Sequence, residues 1–350
     1  MPTVSVITPT YNRSELLAQT IRSVLVQTFD DFEMLVVDDG SQESAQTIVK
    51  EVGDSRVRYI FQQHAGRSAA RNCGLKAACG EFIAFLDDDD LYHPLKLAHE
   101  TAFFSSNPDI ELVGSGFRLL NNVDEVLTDW EPWLLKPILN AANCLYSCPL
   151  ATCSVLIRRR ALERMDQWFD PAFNMYEDSD FFLRLLLKGA RFEWLRESLS
   201  DYRLSGERSL SVVPDMYKAS RLVLEKIFKR TDLPPEIAGQ QQDVLLHYNL
   251  TSAWRAYAYQ LDITAQRSLL RALLQEPRLA EEMADRLLDS LSATARNTLY
   301  VRDASQYLDY VLDHLPAPLR HLAHRREELN KMISVPTVTK AEIAANQDAL

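Results

Sequence analysis

Three common ligand-binding signatures are missing from this 350-residue chain. No GxGxxG follows the first apolar run, so a dinucleotide site of the usual kind is not expected. There is no GxxxxGKS/T and no GxSxG, and the P-loop and nucleophile-elbow hydrolase readings lose their main support. Cysteine is scarce: Cys73, Cys79, Cys144, Cys148 and Cys153 are odd in number and contain no CxxC pair. That spacing matches neither a disulfide framework nor a standard zinc site, and free thiols in a reducing compartment are expected. Positive charge is in deficit, with 38 Lys and Arg against 49 Asp and Glu and a net charge of −11. Nucleic-acid binding rests on basic side chains neutralising phosphates, so no nucleic-acid partner is expected. A small anion held through a metal stays open. No apolar run is long enough to cross a bilayer; the longest weakly polar stretch, Leu145 to Ile157, contains Pro149 and several Ser, Thr and Cys. The segment Met1-Pro2-Thr3-Val4-Ser5-Val6-Ile7 has no basic start and no cleavage site, so a cytoplasmic protein is expected, with peripheral contact at a membrane left open.

What is present is an alternation of strand-like and helix-like segments over the first hundred residues. Val4 to Thr8 is β-branched and reads as a first strand, broken by Thr8-Pro9-Thr10-Tyr11-Asn12, because Pro9 removes a donor. Ser14 is placed to cap a helix with Leu17, Ile21, Val24 and Leu25 on its apolar face. Phe32 to Val37 reads as a second strand ending in Asp38-Asp39-Gly40-Ser41, and Arg56 to Gln62 as a third. Gly66 to Gly74 reads as a loop opening a helix, and Glu81 to Leu86 as a fourth strand. Short connections between such segments predict a parallel α/β sheet, in which ligands bind beyond the carboxyl ends of the strands.

Three strand ends are then unusual: Thr8 to Tyr11, Asp38-Asp39, and the tetrad Asp87-Asp88-Asp89-Asp90. Taken alone, the tetrad is either a solvated acidic turn or a divalent metal site, since carboxylate oxygens suit Mg²⁺ or Mn²⁺. Register with two other polar strand ends favours the metal site. Asp89, with Asp87, is the candidate metal pair, and such an ion would hold a diphosphate as it leaves. Gly66 to Arg71 offers helix N-terminal amides and the cations Arg67 and Arg71. Asp178, in Glu177-Asp178-Ser179-Asp180, stands at a loop-to-helix junction and suits either a general base or an N-cap. The run Arg158-Arg159-Arg160 reads as a solvated helix face.

These residues resemble the inverting glycosyltransferases of family 2, over roughly residues 2–211. The resemblance rests on Val6-Ile7-Thr8-Pro9-Thr10-Tyr11-Asn12, Val36-Val37-Asp38-Asp39-Gly40-Ser41, Gly66-x-Ser68-Ala69-Ala70-Arg71-Asn72-x-Gly74, Phe85-Leu86-Asp87-Asp88-Asp89-Asp90 and Glu177-Asp178-x-Asp180, in that order. It implies an α/β GT-A fold, a Rossmann-like mixed sheet of the nucleotide-diphospho-sugar transferases. It also implies a nucleotide-sugar donor, a glycan, glycolipid or glycoprotein acceptor, and Mn²⁺ or Mg²⁺. By the same resemblance Asp39 meets the base, usually uracil. Thr8, Pro9 and Tyr11 line that pocket. Arg67 and Arg71 belong to the donor side, and Asp87 to Asp89 are the DXD motif at the ribose and metal. Asp178 is the catalytic base, with Glu177 and Asp180 on the acceptor side. Many members carry a histidine after the late Tyr-Arg; here the sequence is Tyr202-Arg203-Leu204-Ser205. QxxRW and membrane spans, the marks of processive members, are absent, which favours transfer of a single sugar. The other readings are a nucleotidyltransferase and a non-catalytic nucleotide-sugar or glycan-binding protein on the same fold.

From about Asp215 strand runs cease. Helical patterns cover Met216 to Lys229, Glu236 to Ala258, Thr264 to Leu274 and Leu279 to Leu291. The expected organisation is a catalytic domain over 1–213, a helical region over 214–333 and a disordered tail over 334–350. The helical region is a candidate for homo-oligomer contacts. The basic, partly apolar Leu319-Arg320-His321-Leu322-Ala323-His324-Arg325-Arg326 is a weak candidate for a membrane surface.

Overall fold

The computed structural model describes residues 1–43, 45–121, 123–204 and 213–258. The elements run β1 (Val4–Thr10), α1 (Ser14–Leu25), β2 (Phe32–Asp38), α2 (Gln46–Val52), β3 (Val57–Phe61), α3 (Arg67–Ala77) and β4 (Phe82–Phe85). There follow β5 (Leu91–Tyr92), α4 (Lys96–Ser106), β6 (Leu112–Leu120), β7 (Val126–Trp130), α5 (Pro132–Leu135), α6 (Ala141–Cys144) and β8 (Val155–Arg158). The last are α7 (Arg159–Leu162), α8 (Glu177–Leu187), β9 (Phe192–Arg203), α9 (Val213–Phe228), α10 (Pro235–Ala238) and α11 (Gln241–Ala258). The chain divides after Ala238. Thus α9 and α10 belong with the sheet, beyond the boundary at 213 expected from sequence, and α11 belongs to the second unit. The pattern expected to be one helix from Glu236 to Ala258 is interrupted between Ala238 and Gln241. The expected helices at 264–274 and 279–291, the segment 319–326 and the tail lie outside the described residues.

One nine-stranded mixed sheet has the order β3-β2-β1-β4-β8-β6-β9-β5, with β7 added to β6. The first four strands are mutually parallel, which brings their carboxyl ends to one edge. Every residue of β1, β2 and β4 is buried, as expected of strands covered on both faces. On one side Leu17, Ile21 and Val24 of α1, at helical spacing, pack into a cluster with Val4, Val6 and Val36. Each such side chain contributes about 1.5–3 kcal/mol by leaving water. On the other side α3 lies against β1, close enough that a Cβ on Gly74 would stand 2.4 Å from Ile7 Cγ2.

Three local expectations are corrected. β1 does not stop at Thr8: Pro9 pairs with Val37 of β2 and the strand runs to Thr10. The ring is tolerated because β4 pairs only as far as Ile7↔Phe85, so the side of Pro9 that lacks a donor faces no strand. Ser14 is the first residue of α1, not its cap; Arg13 holds that position and no side chain caps the helix. The Arg158–Arg160 run is not a solvated face. Arg158 stacks on Phe82 and Phe104 and donates to the carbonyls of Ile110 and Phe104, Arg159 donates to Gly80 O, and Arg160 pairs with Glu111. These cations tie β8 to the loops around α4 and β4.

Candidate active site

At the carboxyl edge of the parallel strands lies a cavity of about 810 Å³, large enough to enclose much of a nucleotide sugar. Pro9, Thr10 and Tyr11 from the end of β1, Asp39 after β2 and Asp87 to Asp89 after β4 share its wall. The three polar strand ends are bonded together: Asp39 N–H donates to Thr10 O (2.9 Å), and Thr10 Oγ1 donates to Asp88 Oδ2 (2.7 Å). Thr8 is the exception. Strand alternation puts it on the face of Val4 and Val6; it is fully buried and does not reach the cavity.

The loop before α3 shapes the Asp39 side of the cavity. Gly66 has φ +89°, a conformation that side chains resist, and it turns the amides of Ala65 and Gly66 onto the Asp39 carboxylate (2.9 Å each). Gln62 donates to the same carboxylate (2.6 Å) and His64 Nδ1 stands 2.9 Å from it. His64 also stacks on Tyr11, with centroids 4.3 Å apart. A base entering here would meet a carboxylate, an imidazole and a phenol.

Arg71 is 1 % exposed and joins two walls, donating to Asp87 Oδ1 (2.6 Å) and Glu177 Oε1 (2.7 Å). Burial opposes its charge, but Asp87 and Glu177 more than offset this and hold its pKa above the usual value. Burial likewise pushes Asp87 up, and Arg71, Arg67 and Arg13 bring it below the usual range. With both forks engaged, Arg71 is a positioning residue. Arg67, more than half exposed and 3.7 Å from Glu177, is a cation available to an entering anion.

The other two members of the acidic end behave differently. Burial drives Asp88 up to about 7, with Asp89 and Asp87 adding and Thr10 and Arg13 opposing. Asp89 is raised too, by burial and by Asp87, against the pull of Arg13. Burial and crowding disfavour the ionised form of these carboxylates, a cation set between them would restore it, and their hard oxygens suit Mg²⁺ or Mn²⁺. Among the described residues no group of three or more ligand side chains is assembled, so an ion here would need phosphate oxygens and water as well. Asp90 points inward, 1 % exposed, its Oδ1 accepting the Arg203 N–H at 3.0 Å.

Opposite these, Tyr176 takes the cap position of α8 with φ 59°, a left-handed conformation unusual for a tyrosine. The N-cap reading of Asp178 is thereby set aside, since Asp178 is the second helical residue. Its carboxylate is half-buried at the cavity wall and accepts the Ser179 N–H at 2.7 Å. Burial raises it to about 6, with Glu177 adding and Arg71 opposing. Glu177 also reaches the cavity, but as the partner of Arg71 and Arg67. Asp180 does not. Two residues past Asp178, it is fully buried with Arg184 (2.7 Å) and Lys226 (2.8 Å), so its expected acceptor-side role is corrected to a structural one.

Residues 5–165 match the sequence model described as Glycosyl transferase family 2. This region belongs to that family. Among curated relatives, the uncharacterized glycosyltransferase EpsJ of Bacillus subtilis (strain 168) is 31% identical over 227 residues, covering 61% of this chain and 64% of the relative. The uncharacterized glycosyltransferase RP339 of Rickettsia prowazekii (strain Madrid E) is 29% identical over 195 residues, 52% of this chain and 58% of the relative. The match thus spans about six tenths of the length of these relatives. Among solved structures, S. aureus TarS 1-349 in complex with UDP-GlcNAc superposes with a TM-score of 0.61 at 22% identity, covering 85% of this chain and 88% of that one. The mannosyltransferase PcManGT from Pyrobaculum calidifontis, in complex with GDP-Man and Mn²⁺, gives 0.59 at 17% identity, with 95% and 86% covered. The fold is GT-A, as the family 2 motifs imply. Among the described residues no helix is long and apolar enough to cross a membrane.

Beyond the family motifs, the cavity residues that were not singled out from sequence include Arg13 and His64. Arg13 directly follows the Thr8–Asn12 motif, and adjacency to it was the available signal. Arg203, noted only for the histidine that does not follow it, also lines the cavity and holds the acidic turn through Asp89 O (3.1 Å).

Proposed function

We propose that this protein transfers a single sugar from a nucleoside-diphosphate sugar, UDP-linked, to a hydroxyl of a glycan, glycolipid or glycoprotein, with inversion at the anomeric carbon and dependence on Mn²⁺ or Mg²⁺. The observation that carries the reading is the pairing of two unlike acidic sites across one cavity. Asp178 has its carboxylate raised to about 6 and no cation bound to it among the described residues, while Asp87 to Asp89 are gathered at a strand end. A carboxylate of that basicity can take a proton from an attacking hydroxyl near neutral pH. In a single displacement the acceptor oxygen bonds the sugar carbon, its proton passes to Asp178, and the bond to the diphosphate breaks. Asp39, with His64 and Tyr11, orients the base. Arg67 meets the diphosphate, and Arg71 keeps the Glu177–Asp178 end of α8 in register with Asp87. Asp89 and Asp87 would hold the divalent ion, which supplies Lewis-acid stabilisation of the departing diphosphate.

A thermal-shift and calorimetric screen of UDP, GDP and dTDP sugars with Mn²⁺ tests the donor. Asp178→Asn should bind the same donor as wild type and transfer nothing. A folded Asn variant with wild-type transfer would overturn Asp178 as base, and failure of every nucleoside diphosphate to bind would overturn the donor class.

A further inference from the structure

Arg13 is the cation that faces Asp89. Its Nη1 lies 2.5 Å from Asp89 Oδ2 and 3.4 Å from Asp88 Oδ1. The two carboxylates differ in what else holds them. Asp88 is also fixed by Thr10 at 2.7 Å, whereas Arg13 is the one side chain among the described residues that bonds the Asp89 carboxylate. Apart from these two carboxylates, Arg13 is anchored through its backbone: its carbonyl accepts the Leu17 N–H at 3.1 Å at the start of α1, while its side chain makes no capping bond. The side chain is 41% exposed and lies on the cavity wall. Arg71, another arginine on this edge, is the opposite case, with a 1 % exposed side chain bonded at both forks.

A divalent ion bound through Asp89 Oδ2 must displace Arg13 from that oxygen, and one bound through Oδ1 would set its charge against the guanidinium. The guanidinium and the ion therefore exclude one another at Oδ2. Swinging Arg13 off its partners costs little if another anion is within reach, because its head is already half in solvent. A diphosphate in the same cavity is such an anion.

Resting on the donor reading above, we propose that Arg13 is a built-in counter-ion. It offsets part of the charge of the Asp88–Asp89 pair while the cavity is empty, and it exchanges Asp89 for a divalent cation as the nucleoside diphosphate enters, its guanidinium passing to the diphosphate. The exchange keeps a cation beside Asp89 in both states. It also makes metal alone a weak ligand and couples metal binding to nucleotide binding, because each arrival removes a penalty on the other.

The experiment is a Mn²⁺ titration of the full chain, read by electron paramagnetic resonance and calorimetry, with and without UDP. It compares wild type, Arg13→Gln, Arg13→Lys and Arg67→Gln. Arg13→Gln should bind Mn²⁺ alone about tenfold more tightly than wild type, the ratio for loss of one modest competing interaction. UDP should then enhance its Mn²⁺ affinity less than it does in wild type. Arg13→Lys, which keeps the charge, should stay near wild type and guards against a folding defect in the Gln variant. Arg67→Gln removes a cation from the same cavity without touching Asp89, so it should shift Mn²⁺ affinity far less. Equal tightening by Arg67→Gln, or none by Arg13→Gln, overturns the exchange. If wild type binds Mn²⁺ and UDP but Arg13→Gln leaves the Mn²⁺ affinity unchanged, the exchange alone falls. If wild type binds neither Mn²⁺ nor any nucleoside diphosphate, the donor reading falls with it.

Discussion

Arg71 and Glu177 stand 106 positions apart in the sequence and meet at 2.7 Å, both almost wholly buried. Through this contact the start of α8, which carries Asp178, is set against the strand end that carries Asp87. Removing the guanidinium would leave the buried Glu177 and the part-buried Asp87 without this partner. Arg71→Ala should therefore lose about 3–5 kcal/mol of stability, as expected when one member of a buried pair is deleted. Arg71→Lys should recover part of this, because a single ammonium cannot reproduce a two-armed fork. Urea unfolding with the m-value monitored is the measurement. A loss below about 1 kcal/mol for Arg71→Ala, the range of surface pairs, would contradict the bridging role.

The raised Asp178 carboxylate predicts the pH dependence of transfer. A base works only when ionised, and burial shifts this one to about 6. The rate should be level above pH 7 and fall through 6, by about tenfold for each further unit of acidity. The charge of the neighbouring Glu177 adds to the rise of Asp178. Glu177→Gln removes the like charge and should move the inflection downward. A rate that stays flat to pH 5 would mean an ordinary carboxylate, or a different base.

Contact between α3 and β1 offers a test of the packing that places Arg67 and Arg71. A Cβ on Gly74 would stand 2.4 Å from Ile7 Cγ2, too close for either atom to remain where it is. Gly74→Ala should cost about 1–3 kcal/mol by overpacking, despite the better helix propensity of alanine. Ile7→Ala removes the opposing methyl, so the double variant should be more stable than the sum of the two single losses allows. Additive losses in chemical denaturation would show that α3 can shift away from β1 at no cost.

Most of the nucleotide half was legible in the sequence, because its strands are continuous apolar runs and its site residues follow them directly. Asp39 and Asp87 to Asp89 could be placed on one edge from strand order alone. What could not be read were partnerships between distant side chains. Nothing local to Arg13 announces Asp89, and nothing near Arg203 announces Asp90. Asp180 was misplaced because four acidic-rich positions at a helix start look alike in sequence. The helix turns about 100° per residue, so Asp178 faces the cavity while Asp180 faces Arg184 one turn on. Arg158 was misread for a related reason: a charged run looks solvated until the aromatic rings of Phe82 and Phe104 are found beneath it.

Asp90 closes the acidic tetrad and carries the clearest thermodynamic consequence. Its Oδ1 accepts the Arg203 N–H at 3.0 Å, and its buried Oδ2 has no hydrogen-bond partner among the described residues. Burial, then the charges of Asp89 and Asp87, raise its pKa well above the usual value, with the Arg203 amide and the Cys153 thiol opposing. In the unfolded chain the same group ionises near its ordinary value of about 4. As pH rises past that point the unfolded state loses the proton first, so the folded state is progressively disfavoured until its own higher pKa is passed. Asp90 therefore costs stability at neutral pH and costs none below about pH 4. Asp90→Asn keeps an acceptor for the Arg203 amide and cannot ionise. In metal-free buffer the variant should be more stable than wild type at pH 7, and the two should converge as the pH falls to 4. Urea midpoints at the two pH values decide it: a variant less stable at pH 7, or one whose advantage is the same at both, would show that Asp90 is ionised and satisfied in the folded protein.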